Sequence, residues 1–332
     1  MIEYINLMSL NIIFCIFTLI FSLIVDTIIG ELPSKIHPVV IMGSIITFFK
    51  KYLIKIKSKI SGLLLILTTT CIICFILYLF NLLYYFNDII YYIIFILLLS
   101  STYSIKMLLE TATNVEDDLN DGIDKARKSV SYLVSRNTDE LTESFIVSAT
   151  IESLTENITD SFVAPVFYYF IVCLITLSFN TNFIYLLLIP MLYRLYNTLD
   201  AMVGYETDEL KNIGYFPAKL DDLLNYIPSR IAGIYVVLSA YLLKLDGKNA
   251  FKIMMRDARN CPSPNSGFTM ASTAGALNIQ LNKKDTYILG DSNKDIVSSD
   301  ISKAVKLSKL SIILFTLTII LLIILFYVIL WK

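Results

Sequence analysis

Three carboxylates recur at four-residue intervals near the middle of the chain, Glu152, Glu156 and Asp160, with Asn157 beside them. On a helix that spacing puts them on one face, where like charges repel. A stripe without an intervening cation suits Mg²⁺, held through one or two oxygens while phosphates complete its shell. The structural alternative is neutralisation by a cation from another segment, such as Arg230 or Arg256. Further on, R-D-A-R-N-C-P-S-P-N-S-G-F places Arg256, Asp257 and Arg259 just before a loop. There Pro262 and Pro264 forbid continued helix, and Ser263, Asn265, Ser266 and Gly267 supply donors. Such a loop can bind an anion, although polar turns of this composition also occur with no ligand.

Asp200, in N-T-L-D-A-M-V-G-Y, and Asp221 with Asp222, in K-L-D-D-L-L-N-Y-I-P-S-R, lie at the edges of apolar segments. Ionisable groups there are costly unless paired or functional. Adjacent aspartates point to different helix faces, so one of Asp221 and Asp222 is expected to meet a ligand and the other to cap or face water. Arg230, just after Pro228, suits a helix start, and its forked guanidinium could clamp a phosphate or carboxylate. Near the amino terminus D-T-I-I-G-E-L-P-S-K-I-H-P-V-V-I-M-G brings together Asp26, Glu31 and the only histidine, His37. His37 reads either as a general base or ligand contact, or as a hydrogen-bonding turn residue.

The elements that must position these groups are membrane helices. With 56% hydrophobic residues, 17% charged and a mean hydropathy of +0.69, the chain is no ordinary soluble globule. Uncharged stretches run from Tyr4 to Val25, Ile60 to Asn87, Ser161 to Tyr193 and Leu310 to Trp331. Each reaches the roughly 20 residues that cross a bilayer. Ile89 to Ile105 is a shorter fifth. Met1 to Leu10 lacks a basic region, and no small-residue cleavage site follows, so the first run reads as a retained span. Asn180, Thr181 and Asn182 interrupt the third run, which then reads equally as a hairpin. Ile231 to Leu243 is too short for a simple crossing and reads as a re-entrant or buried helix.

The fold class is therefore all-α, a polytopic integral membrane protein with five to seven apolar helices. It reads as one membrane domain, 1–332, with polar insertions at about 26–59, 110–160 and 197–308 and an anchor at 309–332. Strand signals are weak throughout. In the second insertion Asn137, Thr138 or Asp139 would cap a helix carrying Leu141, Phe145, Val147 and Ile151. Lys50, Lys51, Lys55, Lys57 and Lys59, and then Lys125, Arg127, Lys128 and Arg136, place the insertions in the cytoplasm by the positive-inside rule. A net charge of -1 indicates no nucleic-acid surface. The five cysteines give no disulfide framework, and Cys71 and Cys74 read as packing residues within a span. Neither a P-loop nor a Rossmann fingerprint occurs. A membrane carrier or binding protein is the alternative to an enzyme, although a carrier should place more polar groups within its spans.

Taken in order, these motifs resemble the adenosylcobinamide-phosphate synthase family of cobalamin biosynthesis, CobD/CbiB. The resemblance runs from about Asp26 to Gly290. It takes in D-x-x-x-G-E-L-P with H-P-V-x-x-M-G, then A-R-K-S-V-S-Y-L-V-S-R-N-T with I-E-S-L-T-E-N-I-T-D-S-F-V-A-P. It continues through N-T-L-D-A-M-V-G-Y with L-D-D-L-L-N-Y-I-P-S-R, and R-D-A-R-x-x-x-S-P-N-S-G with A-G-A-L. It departs at Glu31, where an aspartate in a G-D-P-like turn is expected. It implies a cell-membrane acid-amine ligase that uses ATP and Mg²⁺. The reaction would join a propionate carboxyl of adenosylcobyric acid to aminopropanol or aminopropanol phosphate, giving adenosylcobinamide or its phosphate. Under it Glu152, Glu156 and Asp160 would hold Mg²⁺. Arg230, Arg256, Asp257, Arg259, Ser263 and Asn265 would contact phosphate or substrate. Asp200 and Asp221 would be further metal or amine contacts, and His37 would take the amine's proton, these three being the catalytic set. Besides the lipid bilayer, a second copy of the chain or other late enzymes of the pathway are the implied protein partners.

Overall fold

A computed structural model of the chain describes residues 2–134, 137–205 and 207–330, with side chains from residue 11 onward in the first helix. Five stretches among them are long and apolar enough to cross a membrane: Asn11–Ile28, Ile60–Tyr85, Asp88–Asp121, Glu143–Phe179 and Ser299–Leu330. The pair Tyr215–Leu224 and Tyr226–Leu242, bent by 47°, makes a sixth if counted as one. The protein is thus an all-α polytopic membrane protein, and the short apolar stretch from Ile231 belongs to the bent pair.

The chain divides into two compact units. The first comprises Met1–Ser104, Pro165–Leu224 and Thr318–Lys332, and the second Ile105–Ala164 and Asn225–Leu317. In the first unit the helices are α1 (Ile2–Ile28), α2 (Pro38–Leu53), α3 (Ile60–Leu82) and α4 (Asp88–Ser100), followed later in the chain by α8 (Ala164–Phe179), α9 (Tyr185–Val203) and α10 (Tyr215–Leu224). Its core holds Leu19, Phe95, Leu99, Tyr169, Leu195 and Leu199. Polar side chains inside that core bond locally: the Tyr169 hydroxyl donates to the Cys15 carbonyl at 2.7 Å and shares a 2.7 Å bond with Thr18. The long apolar run turns back at Asn180, which adopts the left-handed region (φ 50), and Asn182 caps the next turn by accepting from the Ile184 amide.

The second unit holds α5 (Ile105–Asp121), α6 (Ile123–Ser131), α7 (Glu143–Ile158), α11 (Tyr226–Leu242), α12 (Gly247–Asp257), α13 (Gly267–Leu277) and most of α14 (Ser299–Leu330). A single π-helical turn, Thr159–Val163, follows α7. Every residue of α7 from Ile146 to Thr155 is buried, so this helix is the axis of the unit. Its start differs from the sequence expectation. Asn137 closes a local turn by accepting from the Asp139 amide, and the residue preceding the helix is Thr142, with no side-chain cap bond.

Strand is as scarce as the weak signals imply: among the described residues Leu281–Lys283 (β1) and Tyr287–Leu289 (β2) pair antiparallel, with Lys283 opposite Tyr287. The loop between them turns at Asp285 (φ 58), one of the residue types that tolerates the left-handed region. Small residues let α13 lie directly on α12: a Cβ on Gly275 would come within 2.6 Å of the Asn249 carbonyl oxygen and 2.8 Å of the Ala250 Cα. Neither atom is at the end of a flexible side chain. Gly275→Ala should therefore cost about 1–3 kcal/mol, read as a lower unfolding midpoint of the detergent-purified chain. An unchanged midpoint would mean that the two helices part without cost.

Candidate functional site

Within the second unit a cleft of about 140 Å³ opens beside the axial helix α7, lined among others by Glu152, Ser153, Glu156 and Asn157 on one side and by Lys283 and Tyr287 of the hairpin on the other. Glu152 is 3% exposed, and a carboxylate so placed requires partners. The Ser148 hydroxyl donates to its Oε1 at 2.7 Å and the Tyr287 hydroxyl to its Oε2 at 3.0 Å. Ser148 in turn accepts from the Asn282 backbone amide at 3.0 Å, which fixes β1 to α7. The hairpin register puts the Lys283 ammonium 5.9 Å from the Tyr287 ring centre. Burial pushes the Tyr287 hydroxyl up, and the negative charges of Glu152 and Glu156 push it further, so it remains a donor. Burial and the same two carboxylates push the nearby Cys261 thiol up to about 12.

The three-carboxylate stripe does not survive intact. Glu152 and Glu156 share the cleft, but Asp160 falls in the π turn and is not part of this lining. The wider turn breaks the four-residue repeat that would have kept it on their face. Among the described residues, two carboxylates and one lysine line the cleft. Among the described residues no three His, Cys, Asp or Glu side chains gather so as to hold a metal ion by themselves. The donor set instead fits an ion bound through one or two carboxylates, with water and phosphate supplying the remainder.

The other candidates of this unit lie in two places. Arg230, in the second turn of α11, stacks on Tyr226 (3.5 Å to the ring centre) and Phe268 (4.3 Å), and donates to Asn265 Oδ1 at 3.1 Å. Ser263 accepts from the Asn265 amide at 3.3 Å, so Ser263, Asn265 and Arg230 form one loop cluster. Arg259 is exposed, and its charge opposes that of Arg230. Arg256, by contrast, is committed to Asp257 (2.6 Å) and Asp291 (2.9 Å). Asp257 also accepts the Gly290 amide at 2.8 Å. Burial by itself would raise the Asp257 carboxyl, but Arg256 and the Gly290 amide outweigh it and hold the carboxyl below its ordinary range.

His37, Asp200 and Asp221 belong to the first unit. His37 Nε2 lies 2.6 Å from Glu31 Oε2, while Nδ1 accepts the Val39 amide at 3.2 Å and so caps α2. With Nδ1 accepting, the neutral ring carries its proton on Nε2 and donates to Glu31, which leaves the ring no unoccupied basic nitrogen. Glu31 also accepts from Ser104 at 2.6 Å. Burial would raise its carboxyl, yet the bonds from His37 and Ser104, aided by the Arg194 charge, hold it low. Arg194 donates to Asn197 (3.2 Å), and Asn197 to Asp221 (3.2 Å). Asp222 faces Lys219 at 3.7 Å. Asp200, at the end of α9, is pushed up to about 6 by burial and by the charge of Asp222.

Sequence reasoning missed Lys283, Tyr287 and Ser148 in one unit, and Arg194 and Ser104 in the other. The one available signal for the hairpin was L-N-K-K-D-T-Y-I-L, in which a turn-forming K-D-T separates two three-residue strands. Ser135 and Arg136 of the central motif lie outside the described residues.

Fold and cleft thus define a polytopic all-α membrane protein with a buried acidic group served by dedicated donors. The chain belongs to the CobD/CbiB family of cobalamin biosynthesis proteins: the family model described as CobD/Cbib protein matches residues 19–309. A probable cobalamin biosynthesis protein CobD of Methanothermobacter thermautotrophicus is 44% identical over 90% of this chain and 95% of its own length. One of Methanococcus aeolicus is 40% identical over 82% of this chain and 86% of its own. The cobalamin biosynthesis protein CobD of Clostridium perfringens is 39% identical over 54% and 55%. No solved structure matches the chain.

The Asp200 carboxyl supplies a test. Its folded value near 6 lies above the ordinary 3.8, so the folded state holds the proton more tightly than the unfolded chain. Stability is then lost as pH rises from about 4 through about 6. Asp200→Asn removes this titration. It should melt above the parent at about pH 7.5 and together with it at about pH 4, and a gap of equal size at both values would exclude the assignment.

Proposed function

We propose that the chain is an acid-amine ligase of cobalamin biosynthesis that joins a propionate carboxyl of adenosylcobyric acid to the amine of aminopropanol or its phosphate. The carrying observation is Glu152: a buried carboxylate held by Ser148 and Tyr287 beside Glu156 and Lys283, in a chain of the CobD/CbiB family. Amide formation from a carboxylate in water is uphill, and Mg²⁺ with ATP, when bound, supplies the activation of the acid.

Glu152 and Glu156 would hold the ion. Lys283, a point charge without the fork geometry of arginine, would face phosphate oxygens. Tyr287 and Ser148 fix the direction of the Glu152 carboxylate, so that little reorganisation is needed when charge develops. Arg230, presented with Asn265 and with Arg259 nearby, is a second anion contact. Asp257 and Arg256 act on the hairpin rather than on substrate. Asp200, with a proton affinity near neutrality, has the property that accepting a proton from an amine requires. His37, whose basic nitrogen is already in use, does not. The polar insertions face the cytoplasm in this reading.

Detergent-purified chain supplied with adenosylcobyric acid, Mg-ATP and aminopropanol phosphate should yield a corrinoid whose mass has grown by the amide-linked unit. Glu152→Gln should lower the rate by about two orders of magnitude or more, and Tyr287→Phe by about tenfold. No product with either amine and any nucleotide would overturn the ligase and leave a membrane carrier or binding protein.

A further inference from the structure

Ser148 has a second side. On one it donates to Glu152, and on the other it helps line a larger cavity of about 410 Å³, together with Gln280, Asn282, Ser292, Lys294 and Asp295. The charge on Lys294 is taken up by Asp300 at 2.8 Å, and Asp295 is exposed. The rest of this polar lining consists of hydroxyls and two carboxamides. Those of Gln280 and Asn282 are half-buried. Neither side chain hydrogen-bonds to another described residue, since the Asn282 contact with Ser148 uses its backbone amide.

A carboxamide offers two donors and an acceptor together. A ligand carboxamide meets both needs at once, its N–H groups donating to the carbonyl oxygens and its oxygen accepting from the amides. A carboxylate has no donor for the two carbonyl oxygens, and an apolar group would leave both amides unpaired at a cost. The cavity has room for side arms of a large ligand rather than for a whole macrocycle, and Ser148, which lines it, donates to Glu152.

We propose that this cavity is a subsite for primary carboxamides, which bind Gln280 and Asn282 and thereby hold the amidated acid beside the Glu152 cleft equally in its ground and transition states. The proposal rests on the ligase reading above, in which the acid substrate carries such amides around its periphery. It makes Gln280 and Asn282 positioning residues that choose the amidated acid over a form whose amides are carboxylates.

Equilibrium dialysis of the full-length chain in detergent, without nucleotide, measures binding of adenosylcobyric acid and of an analogue with hydrolysed side amides. Steady-state kinetics on the same samples give KM for each substrate. The unaltered chain should prefer the amidated acid by about tenfold or more. Gln280→Leu and Asn282→Leu should each weaken it by about tenfold and erase the preference, with kcat and the KM values of ATP and aminopropanol phosphate unchanged. Gln280→Glu, which keeps the shape of the side chain but loses the donor, should do the same and guards against a folding defect in the leucine variants. Unchanged corrinoid affinity in all three variants overturns the subsite while leaving the ligase intact. Binding with the stated preference but without turnover overturns the ligase and supports the subsite. If the unaltered chain binds no corrinoid, the subsite is wrong.

Discussion

A carboxylate in the middle of a fully buried helix sets the terms for the second unit. Glu152 lies on α7 where every residue from Ile146 to Thr155 is enclosed, and a charge placed there is tolerated only with donors on its oxygens. One donor comes from within the helix, Ser148 one turn earlier. The other, the Tyr287 hydroxyl, lies far along the sequence. That requirement explains why an otherwise helical chain keeps a three-residue hairpin, since β1 is bonded to Ser148 and β2 delivers the phenol.

The first unit handles the same constraint differently. Glu31 is surrounded by donors, His37, Ser104 and the charge of Arg194, and stays ionised. Asp200 has burial and a like charge instead, and responds by holding its proton up to about 6. Two carboxyls in one unit are thereby pushed in opposite directions, the arrangement through which acid and base roles are usually separated. At position 31 one carboxylate meets both His37 and Ser104 through its two oxygens.

How far the sequence carried follows from the range of each interaction. Apolar runs are local signals, and the spans around Asn11–Ile28, Ile60–Tyr85 and Ser299–Leu330 lie where uncharged stretches put them. The Asn180 break was legible for the same reason. The pairing of Glu152 with Glu156 was legible because helical spacing is local, and the loss of Asp160 was not, because a π turn leaves no mark in residue types. The hairpin stayed hidden because its strands are too short for alternation to register, and the partners of Glu152 and Glu31 because side-chain contacts across 73 or 135 positions have no local signature. His37 shows the limit most plainly. A lone histidine before a proline invites a catalytic role, yet here one nitrogen caps a helix and the other donates to a carboxylate.

In the R-D-A-R motif the first two residues are engaged with the segment that follows the hairpin. Arg256 and Asp257 close on each other, and Asp257 extends the clamp to the Gly290 amide, three residues beyond Tyr287. Gly290 has φ 81, and a Cβ on it would sit 2.3 Å from the Ile279 carbonyl oxygen, so only glycine lets the chain leave β2 along this path. The end of α12 and the exit of the hairpin are therefore tied together. Tyr287, between the β1 pairing on one side and this clamp on the other, has little freedom to swing away from Glu152. Removing the Asp257 carboxyl would strand the buried Gly290 amide and leave Arg256 to Asp291 alone, and the disturbance would reach Glu152 through the hairpin.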